Sequence, residues 1–465
     1  MKYSDKLAQN IYNTFLDPIS IKKQSFIGIE LEFPVINLDK KPVDTIMLQK
    51  IMSFLISNYN FEKLATDTDG KIYSIKNTKT KDIICFECSY NTLEFSMYRD
   101  ENIINISKRF YSYFNAINSI LISENHIMAG LGFNPYYKFT NSNAIKNNRY
   151  EKIYSLINVL KNYPKIVQHS NFFSYISSAQ THLDVNLNHL PRFLNVLSKI
   201  EWIKAILFSN SLNPESKNKN TKCLCTRDII YKNSIFSYDK NNTSGFDHKL
   251  KNINELIDNI LDRSIYYVYR DKIFIFFKPI KLKDYFNNKN FLGYKFTYKD
   301  KIQKVNFDPS YNDIQYFRSY KPLEITNLGT VEIRSDCQQS LDRTFLPSAF
   351  CLGILENLDQ AEYYINKYFP SCIKNHSNSE LREMFIYEHN VIYALQNTEI
   401  FKFIKDIIII SYDGLKKRNF GEEIFLEPLT QNINKLYSPA IKMINLIRQN
   451  YSLEEIVQKY SKFKE

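Results

Sequence analysis

The sequence has 465 residues, of which 44% are hydrophobic and 15% aromatic, and a formal net charge of +12. This apolar content excludes an intrinsically disordered chain and is enough for two or three domains or one large catalytic unit. The longest apolar runs, Ile273–Phe277 and Ile407–Ile410, are too short to span a bilayer, and the polar N-terminus lacks a signal-peptide core. We therefore expect a cytoplasmic protein with no membrane partner.

The positive charge does not by itself indicate a nucleic-acid partner. The lysines are scattered along the chain rather than gathered in a basic arm, and anionic small-molecule substrates would use the same charge. We expect small-molecule substrates and no nucleic acid, with a basic nucleic-acid-binding protein without catalysis as the alternative. Cys85 and Cys88 have the spacing of zinc and redox motifs, but reduced thiols suit a cytosolic chain better than a structural zinc site.

The first half of the chain alternates amphipathic helices with strands. Hydrophobic periodicity predicts helices over residues 1–25, 47–59, 102–123, 149–160 and 190–209. Strands are predicted at residues 26–33, 72–75, 83–98 and 180–187, with a turn between Glu87 and Glu94. The Asn- and Lys-rich segment 213–254 is typical of a flexible loop region with short ordered pieces.

The second half begins with strands and ends with helices. Strands are predicted at residues 266–268, 273–277 and 330–334, and the pattern after Pro347 is helical to the end. This mixed order predicts an α+β protein with a largely antiparallel sheet rather than a regular βαβ alternation. We predict a catalytic domain at residues 1–360 and a helical C-terminal region, packed on it, at residues 361–465.

Four of the predicted strands have one apolar face and one face of carboxylates, amides, imidazole or guanidinium. Alternate residues of a strand share a face, which gives four polar rows: Glu30 and Glu32; Thr92, Glu94 and Ser96; His182, Asp184 and Asn186; Thr330, Glu332 and Arg334. Neighbouring carboxylates repel unless a cation lies between them, and Mg²⁺ is the natural candidate. Each strand alone also fits a solvated outer face, but the set favours the lining of an enzyme cavity.

These motifs, in this order, resemble the glutamate–cysteine ligases of the glutamine-synthetase-like carboxylate–amine ligase superfamily. The resemblance runs from about residue 25 to residue 360 and combines plant-type and proteobacterial-type features. It is carried by short stretches at Gly28–Glu32, Glu87 and Glu94, Met128–Pro135, Asn148–Glu151, Asp184–Leu187, Leu207–Ser211, Arg227, Tyr267–Arg270, Val331–Arg334 and Leu346–Phe350.

The resemblance implies a curved, half-barrel sheet flanked by helices, with ATP and two or three Mg²⁺ ions (Mn²⁺ as the alternative) on its concave side. It implies ATP-dependent formation of γ-glutamylcysteine through a γ-glutamyl phosphate, the first step of glutathione synthesis. The implied chemistry agrees with the residue pattern, because phosphoryl transfer needs cations that neutralise charge and hold the reacting oxygens in line.

The resemblance also implies roles for individual residues. The metal ligands would be Glu30, Glu32, Glu87, Glu94 and Glu332, with Asp184 as a sixth. The catalytic residues would be Arg227, Arg334 and Glu332, with the two arginines in contact with phosphate or with the substrate carboxylate. The substrate-binding residues would be Arg149, Tyr150, Tyr269, Arg270 and Asn186, although Arg149 and Arg270 also fit structural salt bridges.

Two departures from the family pattern leave the amine acceptor open. Asp184 stands where the family has an amide or imidazole, and Ser335–Gln338 differs from the family's sequence after the arginine. A carboxylate–amine ligase that uses a different amine therefore stays as an alternative. A monomer and a homodimer are both compatible with the sequence.

Overall fold

A computed structural model describes most of the chain. The described residues are 5–20, 25–140, 143–147, 150–151, 172–214, 222–234, 238–271, 273–296, 302–317 and 319–462. Arg149 and most of the predicted helix at 149–160 lie outside them. None of the helices within these ranges is long and apolar enough to cross a bilayer.

The described strands form two antiparallel sheets. In chain order they are β1 Ile27–Asn37, β2 Phe61–Thr66, β3 Ile72–Asn77, β4 Ile83–Phe86, β5 Thr92–Asp100, β6 His126–Met128, β7 Ala179–Leu183, β8 Ser264–Arg270, β9 Ile273–Lys281, β10 Phe291–Phe296, β11 Ile302–Phe307, β12 Leu323–Ile325 and β13 Val331–Ile333. The larger sheet has the order β12-β13-β7-β1-β5-β4-β3-β2 with β6 paired to β1, and the smaller has the order β11-β10-β9-β8. Both sheets are open, and the predicted α+β class is confirmed.

The helices include most of the C-terminal third of the chain. In chain order they are α1 Asp5–Ile11, α2 Asp17–Ser20, α3 Thr45–Asn58, α4 Ile103–Ser123, α5 Leu190–Phe208, α6 Thr226–Lys232, α7 Ile253–Leu261, α8 Leu282–Tyr285, α9 Leu346–Glu356, α10 Leu358–Tyr368, α11 Asn378–Phe385, α12 Glu388–Gln396, α13 Thr398–Arg418, α14 Glu427–Thr430, α15 Pro439–Arg448 and α16 Leu453–Tyr460. A π-helical turn, Tyr12–Leu16, joins α1 to α2. The helices predicted near the N-terminus and after Pro347 are confirmed.

The two faces of β1 explain its central place in the larger sheet. Its alternate apolar residues from Ile27 to Phe33 are at most 1% exposed. Phe33 packs against Phe110 and Phe114 of α4 with ring centroids 5.7 and 5.4 Å apart, and burial of each such side chain stabilises the fold by about 1.5–3 kcal/mol. The opposite face, which carries the two glutamates, is therefore turned away from the helix.

The register of the larger sheet brings the predicted polar rows together. Glu32 of β1 lies opposite Glu94 of β5. On the other side of β1, Gly28 lies opposite His182 of β7, which in turn lies opposite Glu332 of β13. The four polar faces predicted from the sequence therefore belong to the adjacent strands β5, β1, β7 and β13.

One predicted strand is shorter than the sequence pattern suggests. β7 ends at Leu183, so Asp184 and Asn186 lie in the loop that follows rather than on a strand face. The exposed Asn186 accepts a hydrogen bond through Oδ1 from the backbone N–H of Asn188 at 2.9 Å. This is an Asx turn, in which the side chain competes with continued strand pairing.

The segment predicted as a flexible loop region, 213–254, contributes ordered structure within its described part. Helix α6 and a 3-10 turn at Lys240–Asn242 lie in it, and α7 begins at its end. The strands β2, β6, β10, β11 and β12 are not predicted from the sequence because they are short or lack alternation. In β11, for example, no residue is fully buried.

Candidate active site

Two groups of side chains that could hold a metal ion lie next to each other at the larger sheet. One consists of Glu32, Glu87 and Glu94, and the other of Glu30, His182 and Glu332. Within each group, one ligand atom from each residue lies within 4.8 Å of the others. The groups are adjacent because Glu30 and Glu32 are alternate residues of β1 and share a face.

The first group is held by backbone and side-chain donors. The backbone N–H of Ser178 donates to Glu32 Oε2 at 2.6 Å, and Gln180 Nε2 donates to Glu32 Oε1 at 3.1 Å. The hydroxyl of Ser96 donates to the carboxylate of Glu94. Glu32 and Glu94 are 6% and 8% exposed, so these few hydrogen bonds replace most of their hydration.

The proximity of these carboxylates is electrostatically unfavourable without a cation. Burial and the neighbouring carboxylate of Glu87 raise the pKa of Glu32 to about 8. Burial, followed by Glu87, Glu30 and Glu32, raises the pKa of Glu94 well above its usual value. A divalent cation would remove this repulsion, and oxygen donors from carboxylates are the ligands that Mg²⁺ and Mn²⁺ take.

The second group combines two carboxylates with an imidazole. His182 Nε2 lies 3.3 Å from Glu30 Oε1, and His182 Nδ1 lies 3.2 Å from Thr330 Oγ1. Burial lowers the pKa of His182, but the carboxylates of Glu30 and Glu332 outweigh it and the net shift is upward. The residues present in both groups fit divalent metal ions by donor type and convergence.

Two arginines, Arg227 and Arg334, line one cavity of about 640 Å³ whose described lining includes no member of either acidic group. Arg227 projects from α6, and Arg334 directly follows β13. Arg334 Nη2 donates to Glu332 Oε1 at 2.5 Å. Arg334 also lines a second cavity of about 190 Å³ together with Glu30, His182 and Glu332, so this guanidinium stands between the cavity and the second acidic group.

Each of the two guanidinium groups stacks on a tyrosine ring of the cavity lining. Arg227 stacks over Tyr231 at 4.9 Å and Arg334 over Tyr320 at 5.4 Å. The two tyrosine rings stack on each other with centroids 5.5 Å apart. Among the described residues, the buried Nε of each arginine has no hydrogen-bond partner, which leaves an unused donor at each guanidinium beside the cavity.

Some sequence-predicted site residues lie away from these groups. Asp184 is buried and accepts a hydrogen bond from the backbone N–H of Phe26 at 3.4 Å; it belongs to neither acidic group. Arg270 of β8, in the smaller sheet, forms an ion pair with Asp313 at 2.5 Å. This is the structural salt bridge considered as the alternative for Arg270.

The other described residues of the predicted substrate-binding set lie outside the lining of the 640 Å³ cavity. Tyr269 packs against Phe274 with ring centroids 4.6 Å apart. Tyr150 is 7% exposed and donates its backbone N–H to Asn147 Oδ1 at 2.7 Å. None of the described members of this predicted set lines the 640 Å³ cavity, so the substrate-binding assignments of Arg149, Tyr150, Tyr269, Arg270 and Asn186 stay predictions.

Several residues of the site are not among those predicted from the sequence. The sequence pattern puts His182 on a polar face but not among the predicted metal ligands, although its alternation with the polar residues of its strand is a signal for that role. Tyr231 and Tyr320 gave no sequence signal, because stacking between them depends on how α6 meets the loop before β12. All seven cysteines are free thiols, and neither acidic group contains one.

Comparisons with known proteins identify similarity of structure and not of sequence. No protein-family model and no curated protein matches the chain. The chain is similar to a bifunctional glutathione synthetase from Pasteurella multocida (11% identity, TM-score 0.47), over 99% of this chain and 54% of that chain. It is also similar to a glutamate–cysteine ligase from Francisella tularensis in complex with AMP (11% identity, TM-score 0.46), over 95% and 88%. The chain thus spans about half the length of the first of these proteins.

Proposed function

We propose that the chain is an ATP- and Mg²⁺-dependent carboxylate–amine ligase that joins glutamate to cysteine. The observation that carries the proposal is that Arg334 lines one cavity together with Arg227 and also contacts Glu332 of the second acidic group. Acidic residues for metal ions and guanidinium groups for phosphoryl oxygens are the two components that phosphoryl transfer requires. The ligase motifs of the sequence support the same assignment.

In the proposed reaction, the γ-carboxylate of glutamate attacks the γ-phosphorus of ATP and ADP leaves. The amine of the acceptor then attacks the resulting acyl phosphate and displaces inorganic phosphate, losing a proton as the amide bond forms. Arg227 and Arg334 donate N–H groups to the phosphoryl oxygens, where negative charge is transferred. Mg²⁺ held by Glu30, Glu32, Glu87, Glu94, His182 and Glu332 would neutralise phosphate charge.

The test of this function is ADP release by the purified protein with ATP, Mg²⁺, glutamate and a panel of amines that includes cysteine. Glu30→Gln is expected to abolish release while keeping the fold, because it removes a charged ligand from the second acidic group. Glu62→Gln, which changes an exposed glutamate of β2, is the matched control and should behave as the wild type.

The outcomes separate the reaction from the choice of acceptor. Turnover with another amine but not with cysteine would keep the ligase chemistry and change the substrate, as the departure at Ser335–Gln338 allows. Near-normal turnover by Glu30→Gln would remove Glu30 from the metal site. No ADP release with any amine would contradict the ligase proposal itself.

A further inference from the structure

One arginine of the C-terminal helix α11, Arg382, lies at the candidate active site. Arg382 is 8% exposed and lines the 640 Å³ cavity. Its guanidinium donates to both carboxylate oxygens of Asp228, at 2.7 and 3.2 Å, and to the backbone oxygen of Ser335 at 2.9 Å. It also donates to Glu201 Oε1 at 2.7 Å.

Two of these contacts are made to the immediate neighbours of the cavity arginines. Asp228 follows Arg227 in α6, and Ser335 follows Arg334 after β13. One guanidinium therefore joins the two backbone segments that carry Arg227 and Arg334. A planar guanidinium has fixed donor directions, so this link constrains both the distance and the relative direction of the segments.

Buried charged residues of α5 also hold the segment that follows Arg334. Lys204 Nζ, which is fully buried, donates to Ser335 Oγ at 2.7 Å and lies 3.2 Å from Asp336 Oδ2. Lys204 is also paired with Glu201 on the same helix, at 3.3 Å. The chain after Arg334 is thereby held by α5 as well as by α11, and the paired charges keep Arg382 in place.

We propose that Arg382 is a positioning residue that sets the separation of the Arg227 and Arg334 guanidinium groups across the cavity. The turnover part of the test rests on the proposed function, whereas the anion-binding part does not. The inference gives the C-terminal helical region a role in the site, because the link originates in α11. Misplacement of a reacting group by about 1 Å can lower a rate about 100-fold.

The test compares Arg382→Lys with Arg418→Lys. Arg418 is a matched control because its side chain is 8% exposed, against 9% for that of Arg382, and bridges two carboxylates, Glu356 at 2.8 Å and Glu422 at 2.6 Å. It lines neither the 640 Å³ nor the 190 Å³ cavity. Both variants keep the positive charge and lose the planar fork, so they are expected to lower the melting temperature by similar amounts.

Two readouts distinguish positioning from ordinary packing. Calorimetric titration with inorganic pyrophosphate is expected to show about tenfold weaker binding for Arg382→Lys, and kcat for ADP release is expected to fall about 100-fold with KM changed less than about threefold. Arg418→Lys should stay within about twofold of the wild type in both readouts. Trp202 is the single tryptophan, and its ring centroid lies 5.1 Å from that of Phe385 in α11. Its fluorescence emission therefore reports whether α11 stays packed against α5.

Each outcome decides the inference. Equal pyrophosphate affinity and kcat for Arg382→Lys and Arg418→Lys would overturn it, and so would a wild-type protein that binds no pyrophosphate. If the wild type binds pyrophosphate but releases no ADP with any amine, the proposed function fails and the binding comparison still decides the role of Arg382. Should Arg382→Lys not fold, Asp228→Asn weakens the same link from the other end and is expected to give the same two losses.

Discussion

Glutamates in different strands of the larger sheet can have opposite energetic roles, depending on their neighbours. Glu94 is surrounded by carboxylates, whereas Glu324 of β12 accepts from the buried Arg263 at 2.5 Å. Burial raises the pKa of Glu324, but Arg263 outweighs it and the net shift is downward. A carboxyl whose pKa rises on folding destabilises the folded protein above its unfolded pKa, and one whose pKa falls stabilises it.

Glu94→Gln is expected to raise the free energy of unfolding of the metal-free protein by about 1 kcal/mol at pH 7, because it removes one buried like charge. The same change should remove most of the stabilisation by Mg²⁺, which for a bound ion at 100 times its Kd is about 2.7 kcal/mol. Thermal unfolding with and without Mg²⁺ measures both effects. Glu324→Gln provides the contrast: it should destabilise by about 3 kcal/mol, since Arg263 loses its partner.

Arg227→Lys is expected to lower kcat about 100-fold with a smaller effect on KM. Lysine keeps the positive charge but lacks the guanidinium Nε–H, which is the unused donor of Arg227. Steady-state ADP release measures this change. Arg192→Lys is the control, since Arg192 pairs with Asp359 and Glu362 on the outer side of α5 and α10. An unchanged kcat for Arg227→Lys would exclude Arg227 from the phosphoryl site.

At the scale of elements, the close crossing of α9 and α13 depends on two glycines. A Cβ on Gly414 would lie 2.0 Å from the backbone oxygen of Gly353, and a Cβ on Gly353 would lie 2.1 Å from the backbone oxygen of Ser411. Neither neighbour is a flexible side-chain end, so the helices would have to separate. α9 also packs against β7, the strand of the larger sheet that carries His182.

Gly414→Ala is therefore expected to destabilise the protein by about 3 kcal/mol, at the upper end of the range for overpacked cores. Chemical denaturation measures the change. Gly245→Ala is the matched control, because its added Cβ would meet only Ser379 Oγ at 3.8 Å and its effect should stay below about 1 kcal/mol. Equal stability of the two variants would mean that the crossing relaxes at little energetic expense.

At the scale of the molecule, the C-terminal helices share a core with the rest of the chain. Trp202 of α5 is fully buried and stacks on Phe403 of α13 with ring centroids 6.1 Å apart. The buried apolar residues of both regions belong to one continuous cluster. The boundary predicted at residue 360 therefore falls within a packed interior rather than at a linker of few contacts.

A chain ended at residue 360 is expected not to fold cooperatively, because it leaves Trp202 and the neighbouring face of α5 without their packing partners. The measurement is a thermal or urea transition followed by tryptophan emission, with the full-length chain in parallel. Red-shifted emission and no transition are the expected results. A cooperative transition close to that of the full chain would show that residues 1–360 form an independent domain.

The local chemistry of this protein was predictable from its sequence, because periodicity is a local property. The spacing of Glu30 and Glu32 predicts one polar face, and the same alternation predicts the polar rows at Glu94 and Glu332. The α+β class and the C-terminal helices followed from the same patterns. Asp184 and Asn186 were misplaced on a strand because the alternation continues beyond Leu183, where an Asx turn ends the pairing.

Only the tertiary structure decided which of these residues meet. Sheet register sorts the glutamates into two groups and adds His182 to one of them, because strand pairing joins segments far apart in the chain and no local pattern encodes that choice. The stacking of Tyr231 on Tyr320 and the link from Arg382 to the neighbours of Arg227 and Arg334 are of the same kind. The sequence determined that carboxylates and guanidinium groups line one face, and long-range packing decided how they form a site.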